Sequence, residues 1–147
     1  MLYRVPSPES RFTKEPKMSK SLEGEIALVT GASRGIGAAI ADALADQGAP
    51  VVGTDTSEGG VKAIGERMAA LGGHGRVLDV TDGAAVNALV ETVAQEFGAI
   101  SILVNNAGIT RDQLLMRMKD EDWNAIIDTN LSSVYRTSKA VMRGMMK

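Results

Sequence analysis

Three glycines, Gly31, Gly35 and Gly37, stand in the octet Thr30-Gly31-Ala32-Ser33-Arg34-Gly35-Ile36-Gly37, between the apolar run Ile26-Ala27-Leu28-Val29 and an Ala-rich stretch over 38–44. That order predicts a strand, a glycine turn and a helix start. In such a turn the main chain can approach a pyrophosphate, whose charge is stabilised by the N–H groups and the positive dipole end of the following helix. Gly31 is assigned the tight turn, Gly35 the close backbone approach and Gly37 the packing of helix on strand. Ala32 and Ile36 supply turn backbone, while Ser33 and Arg34 reach toward the ribose and its phosphate. A triphosphate-binding loop needs a lysine after its second glycine, and none is present. The chemistry expected is dinucleotide binding.

Two residues pull the choice of dinucleotide in opposite directions. Arg34 offers a guanidinium, a natural partner for a ribose 2'-phosphate, and so favours NADP. Asp55 stands about 20 residues beyond the turn, at the end of the second expected strand, where a carboxylate accepts hydrogen bonds from the ribose hydroxyls and so favours NAD. Further along, Asn105-Asn106-Ala107-Gly108 follows the run Ile100-Ser101-Ile102-Leu103-Val104. Its two amides can cross-link neighbouring strand ends, and Gly108 lets the chain turn beneath the cofactor.

These residues need a scaffold of alternating strands and helices. Apolar runs predict strands over 26–30, 51–55, 75–80 and 100–104, with helices from near 35 and over 61–71, 83–97 and 121–146. Such alternation defines an α/β fold of Rossmann type, a doubly wound parallel sheet with helices on both faces. The expected strand order is 3-2-1-4, half of such a sheet, with the cofactor across the carboxyl ends of its strands.

The glycine octet, Asn105-Asn106-Ala107-Gly108 and Asn130 in Asp128-Thr129-Asn130-Leu131, in that order, resemble the short-chain dehydrogenase/reductase family. From about Leu22 to Lys147 the likeness is to its 3-oxoacyl-[acyl-carrier-protein] reductases of bacterial fatty-acid synthesis, carried most closely by Gly108-Ile109-Thr110-Arg111-Asp112 and Ser138-Lys139-Ala140-Val141-Met142. The resemblance implies NADPH-dependent reduction of a 3-keto group on an acyl chain held by acyl carrier protein, in a homotetramer. It places Thr56 toward the 2'-phosphate, Asp79 and the Val80 backbone against adenine, and Asn106, Ala107 and Gly108 beside the cofactor. Asn105 is left to stabilise the sheet. Asn130 is the one catalytic position it assigns here, with a carbonyl holding a water in the proton relay. Relatives usually carry a small neutral residue where Asp55 sits, so NADH stays open beside NADPH. The family's catalytic serine and Tyr-x-x-x-Lys pair are expected after Lys147, so this chain alone is expected to be inactive, and with the next strand gone the apolar edge at 100–104 is expected to make it aggregation-prone. Tyr135 and Lys139 have the spacing of that pair, yet they share a helix with Asn130 and are read as surface or interface residues. Two other functions remain: an NAD-dependent alcohol, sugar or steroid dehydrogenase, and a nucleotide-binding fragment without turnover.

Composition removes other classes. The 147 residues are 44% hydrophobic with a formal charge of −2, which provides no basic field for nucleic acid. No apolar run reaches the roughly 20 residues that span a bilayer, and no secretory leader is recognisable, so the expected location is cytoplasmic. There is no cysteine and a single histidine, which disfavours a zinc site. His74 lies among glycines and reads as an exposed loop residue. Met116, Met118, Met142, Met145 and Met146 read as core and subunit packing. Residues 1–21 are expected to form a disordered leader with the true start at Met18, ahead of the dinucleotide-binding domain over 22–147.

Overall fold

A computed structural model of the protein describes residues 20–147. The expected start at Met18 and most of the leader lie outside the described residues. Four short strands, β1 (Ala27–Val29), β2 (Val51–Asp55), β3 (His74–Val77) and β4 (Ile102–Val104), form one parallel sheet in the order β3-β2-β1-β4. This is the expected α/β fold and strand order.

Register decides which side chains meet. Leu28 of β1 lies beside Val52 of β2 and Leu103 of β4. Leu28 and Val52 face a core completed by Val86, Leu89 and Val93 of α3 (Gly83–Glu96) and by Val141 of α5 (Ser133–Met145). Strand alternation turns Ala27, Val29 and Val51 to the opposite face. There they pack with Ala41 and Ala45 of α1 (Gly35–Asp46) and with Ile64 and Met68 of α2 (Glu58–Met68). The buried face of α1 is Gly37, Ala41 and Ala45, spaced four residues apart, so only small groups separate helix from sheet.

Helix starts follow local chemistry. Ser57 caps α2 by accepting from Gly60 N–H, and Asp82 caps α3 by accepting from Ala85 N–H. No side chain caps α1. The long helix expected over 121–146 is divided: α4 (Asp120–Ile127) runs into a π turn at Asp128–Ser132, and α5 continues from it. Ser133 N–H reaches back five residues to the Asp128 carbonyl, and Ser133 Oγ donates to the Thr129 carbonyl at 2.5 Å. Asn130, a poor helix former, sits inside this widened turn.

Three expectations change. The third strand ends at Val77 rather than at residue 80; Leu78 and Val80 are buried in the core without being strand. His74 belongs to β3, half-buried, its ring 4.7 Å from that of Phe97 at the end of α3, so the flanking glycines do not make it a loop. Met116 and Met146 are 88% and 80% exposed, and Met142 and Met145 also face outward, so these methionines do not fill the core.

Ile64 is fully buried between α2 and β2, in contact range of Gly53. Ile64→Ala is expected to lower the urea-unfolding free energy by about 2–5 kcal/mol with an unchanged m-value.

Candidate nucleotide-binding site

The glycine turn is held by its neighbours before any ligand is considered. Thr30, 2% exposed at the end of β1, directs Oγ1 toward the start of the loop after β4. That hydroxyl accepts from Asn106 N–H and Ala107 N–H, both at 3.0 Å. The Asn106 side-chain amide answers by donating to the Thr30 carbonyl at 3.0 Å and the Gly31 carbonyl at 2.9 Å. Ala32 N–H donates to the Thr54 carbonyl at 2.8 Å, tying the turn to β2. A Cβ on Gly37 would collide with the Gly31 carbonyl and the Asn106 amide, and one on Gly31 would lie 3.0 Å from Ala107 Cα. Gly31 also has φ +66°, a left-handed conformation that glycine adopts readily.

A cleft of about 740 Å³ opens at the carboxyl ends of the strands, a size typical of small-molecule sites. The expected residues Gly31, Ser33, Arg34, Gly35, Ile36 and Gly37 line it, as do Asp55, Thr56, Asp79, Val80, Asn106, Ala107 and Gly108. The uncapped start of α1 contributes Gly35, Ile36 and Gly37, leaving free N–H groups and a positive dipole end beside the cleft, the arrangement a pyrophosphate requires. The cradle therefore fits a dinucleotide. Ala32 lies beneath the turn, completely buried, rather than in the cleft wall.

Asp55 does not point away into solvent. Its carboxylate accepts from Ser33 Oγ at 2.5 Å, Ser57 N–H at 2.8 Å and Ser57 Oγ at 2.7 Å. Partial burial alone would raise its pKa, but the hydrogen bonds from Ser33 and Ser57, with the nearby Arg34 charge, outweigh burial and lower it. Asp79 accepts from Thr81 Oγ1 at 2.6 Å and Thr81 N–H at 2.9 Å, which together hold its pKa below the ordinary value. Its side chain thus closes a turn after β3 while lining the cleft.

Asn130 is placed behind the cleft wall. Its Oδ1 accepts from Ile109 N–H at 2.8 Å and its Nδ2 donates to the Ile109 carbonyl at 2.9 Å, clamping one residue of the loop after β4 to the π turn. The side-chain carbonyl expected to hold a water is therefore engaged with the main chain. Asn105 Oδ1 accepts from the buried Thr137 Oγ1 at 2.5 Å, so Asn105 and Asn106 both cross-link elements, the first to α5 and the second to the glycine turn. Tyr135 and Lys139 lie on the outer face of α5, with Lys139 Nζ donating to Tyr135 Oη at 3.1 Å, outside this cleft.

The sequence reading assigned no part to Thr30, Arg67, Leu78, Thr81, Ile109, Arg111, Ala125 or Thr129. Six of these line the cleft, and Thr30 and Arg67 brace its turn. Arg67 reaches the turn from α2: Nε donates to Asp42 Oδ1 at 2.9 Å, and the two terminal nitrogens donate to the Ser33 and Ala32 carbonyls at 3.2 and 2.8 Å. Its separation from the turn in sequence gave no local signal. Among the described residues no group of three or more His, Cys, Asp or Glu side chains is arranged to hold a metal, and no helix is long and apolar enough to cross a membrane.

A parallel sheet in the order β3-β2-β1-β4, with an uncapped helix after a glycine turn, defines a dinucleotide-binding α/β domain. The chain belongs to the short-chain dehydrogenase family, whose pattern matches residues 25–147. It is 64% identical over 127 residues to the 3-oxoacyl-[acyl-carrier-protein] reductase FabG of Escherichia coli K12, covering 86% of this chain and 52% of the relative. The FabG reductases of Vibrio harveyi and Pseudomonas aeruginosa are 63% and 56% identical, each covering 86% of this chain and 52% of the relative. The crystal structure of 2-keto-3-deoxy-D-gluconate dehydrogenase from Streptococcus agalactiae superimposes with a TM-score of 0.77 at 42% identity, covering 87% of this chain and 49% of that one. The chain spans about half the length of the curated relatives it matches.

Gly37→Ala is expected to weaken NADPH and NADH binding by about a hundredfold or more, because the added methyl displaces backbone on both sides of the turn; fluorescence titration of the reduced cofactor checks this. Asp55 should also set part of the acid stability. Its folded pKa lies below the ordinary 3.8, so the folded state favours the charged form. That stabilisation is complete above about pH 5 and is lost as pH falls through the folded value. The stability difference between the native chain and Asp55→Asn should therefore shrink steadily from about pH 5 to pH 2 in urea melts.

Proposed function

We propose that this chain is the cofactor-binding part of an NAD(P)H-dependent reductase acting on 3-oxoacyl groups carried by acyl carrier protein. The 64% identity to a reductase of that name carries the substrate assignment, and the glycine cradle supports the cofactor class. When bound, the reduced nicotinamide would supply a hydride to the keto carbon and leave as the oxidised cofactor, and a proton delivered to the keto oxygen would complete the 3-hydroxyacyl thioester. This chain's own residues bind and orient. The free N–H groups of α1 meet the pyrophosphate, Arg34 and Thr56 face the adenosine ribose, and Asp79 with the Val80 backbone faces the adenine. Asn106, Ala107 and Gly108 form the floor beneath the cofactor, and Asn130 keeps that floor in register through Ile109. In this proposal Asn130 is a positioning residue on the protein side of the proton relay. In this reading the family's serine and Tyr-x-x-x-Lys groups fall in the part of the relatives' length that this chain does not span, and the whole enzyme works as a tetramer in the cytoplasm.

NADPH is the leading donor by likeness to the reductases. One observation favours NADH: the Asp55 carboxylate faces the cleft beside Ser33 and Arg34 and is held in its charged form. A 2'-phosphate would meet that charge.

The intact gene product is expected to oxidise NADPH or NADH only when a 3-oxoacyl-acyl carrier protein is added, followed at 340 nm. Turnover with sugars or steroids but not with the thioester would overturn the substrate assignment. Asp55→Ala is expected to raise the NADPH-to-NADH preference, measured as the ratio of kcat/KM, by about tenfold or more, since a like charge facing the 2'-phosphate is removed. An unaltered ratio would confine Asp55 to holding Ser33 and Ser57.

A further inference from the structure

We propose that Arg67 is a positioning residue for the adenosine diphosphate portion of the cofactor, acting through the backbone of the glycine turn. The inference rests on the dinucleotide-binding reading above. Arg67 lies on α2, and its guanidinium joins three groups at once: the Asp42 carboxylate on α1 and the consecutive carbonyls of Ala32 and Ser33. No other side chain among the described hydrogen bonds takes the Ala32 or Ser33 carbonyl. The described peptide bonds are all trans, so each C=O points opposite to the N–H of the next residue. Drawing the Ala32 and Ser33 carbonyls toward Arg67 therefore turns the Ser33 and Arg34 N–H groups the other way, and both residues line the cleft. The same peptide planes set the direction of the Ser33 hydroxyl, which donates to Asp55.

The pairing with Asp42 makes the device electrically neutral. It orients donors without adding a net positive charge behind the turn. A lysine would supply the charge, but with all its donors on a single nitrogen, whereas the planar guanidinium places three separate nitrogens on the two carbonyls and the carboxylate. The distinction separates positioning from simple charge.

The test uses the intact gene product with ADP as the probe, since ADP carries the adenosine and two phosphates common to NAD and NADP. Calorimetric titration is expected to show ADP affinity lowered about tenfold in Arg67→Ala and by a similar factor in Arg67→Lys, with thermal midpoints of the lysine variant within a few degrees of wild type. Arg67→Lys preserves the stem and the charge, so it answers the question even where the alanine variant fails to fold. Full ADP affinity in Arg67→Lys overturns the proposal, because charge alone then suffices. So does an affinity loss matched by a large fall in thermal midpoint, which would reduce Arg67 to a stability contact. A wild-type protein that binds neither ADP nor NADPH nor NADH overturns the dinucleotide reading and this proposal together, whereas normal wild-type binding with unchanged variants overturns the role of Arg67 alone.

Discussion

The close approach of two main-chain segments, the turn at Gly31 and Gly37 and the loop at Asn106 and Ala107, governs the rest of this structure. Gly37 packs where no Cβ fits, and the space it leaves is filled by the Gly31 carbonyl and the Asn106 amide. Thr30 then serves both strands, since one hydroxyl accepts two N–H groups from the loop after β4. Buried polar groups of this kind must be paired, and here the pairing welds β1 to β4 where the cleft opens. A turn fixed in this way keeps the start of α1 free of protein partners and available to an anion.

The cleft is braced from three further directions. Arg67 holds the outer side of the turn from α2, Asn130 clamps Ile109 from the π turn, and Thr137 takes Asn105 from α5. Arg136 adds a tie of its own, pairing with the Asp128 carboxylate in the π turn and donating to the carbonyl of Val80, which lines the cleft. Each brace ends on the main chain or side chain of a loop residue that faces the cleft or abuts it. These contacts tie the loops at the carboxyl ends of the strands to the surrounding helices, which is the kind of support that orienting a cofactor requires.

Electrostatics at the ribose end oppose one another within a small volume. In the proposed reading Arg34 would attract a 2'-phosphate and Asp55 would repel it, while the same carboxylate accepts hydrogen bonds from Ser33 and Ser57. One carboxylate would then serve both tasks, so that the proposed cofactor preference and the order of Ser33 and Ser57 are coupled.

Residue order determined the α/β class, the strand order and the glycine turn, because glycine spacing, period-two burial and helix caps are local properties written over a few positions; the family resemblance added further cleft residues such as Thr56, Asp79 and Val80. Tertiary structure alone decided what those residues touch. It sent the Asn106 amide to the glycine turn, the Asn130 amide to Ile109 and the Asp55 carboxylate to Ser33, and it placed His74 in a strand against Phe97. Thr30 and Arg67 became visible only there, since their partners lie 76 and 35 residues away along the chain and a hydrogen bond across that separation leaves no periodic or compositional trace.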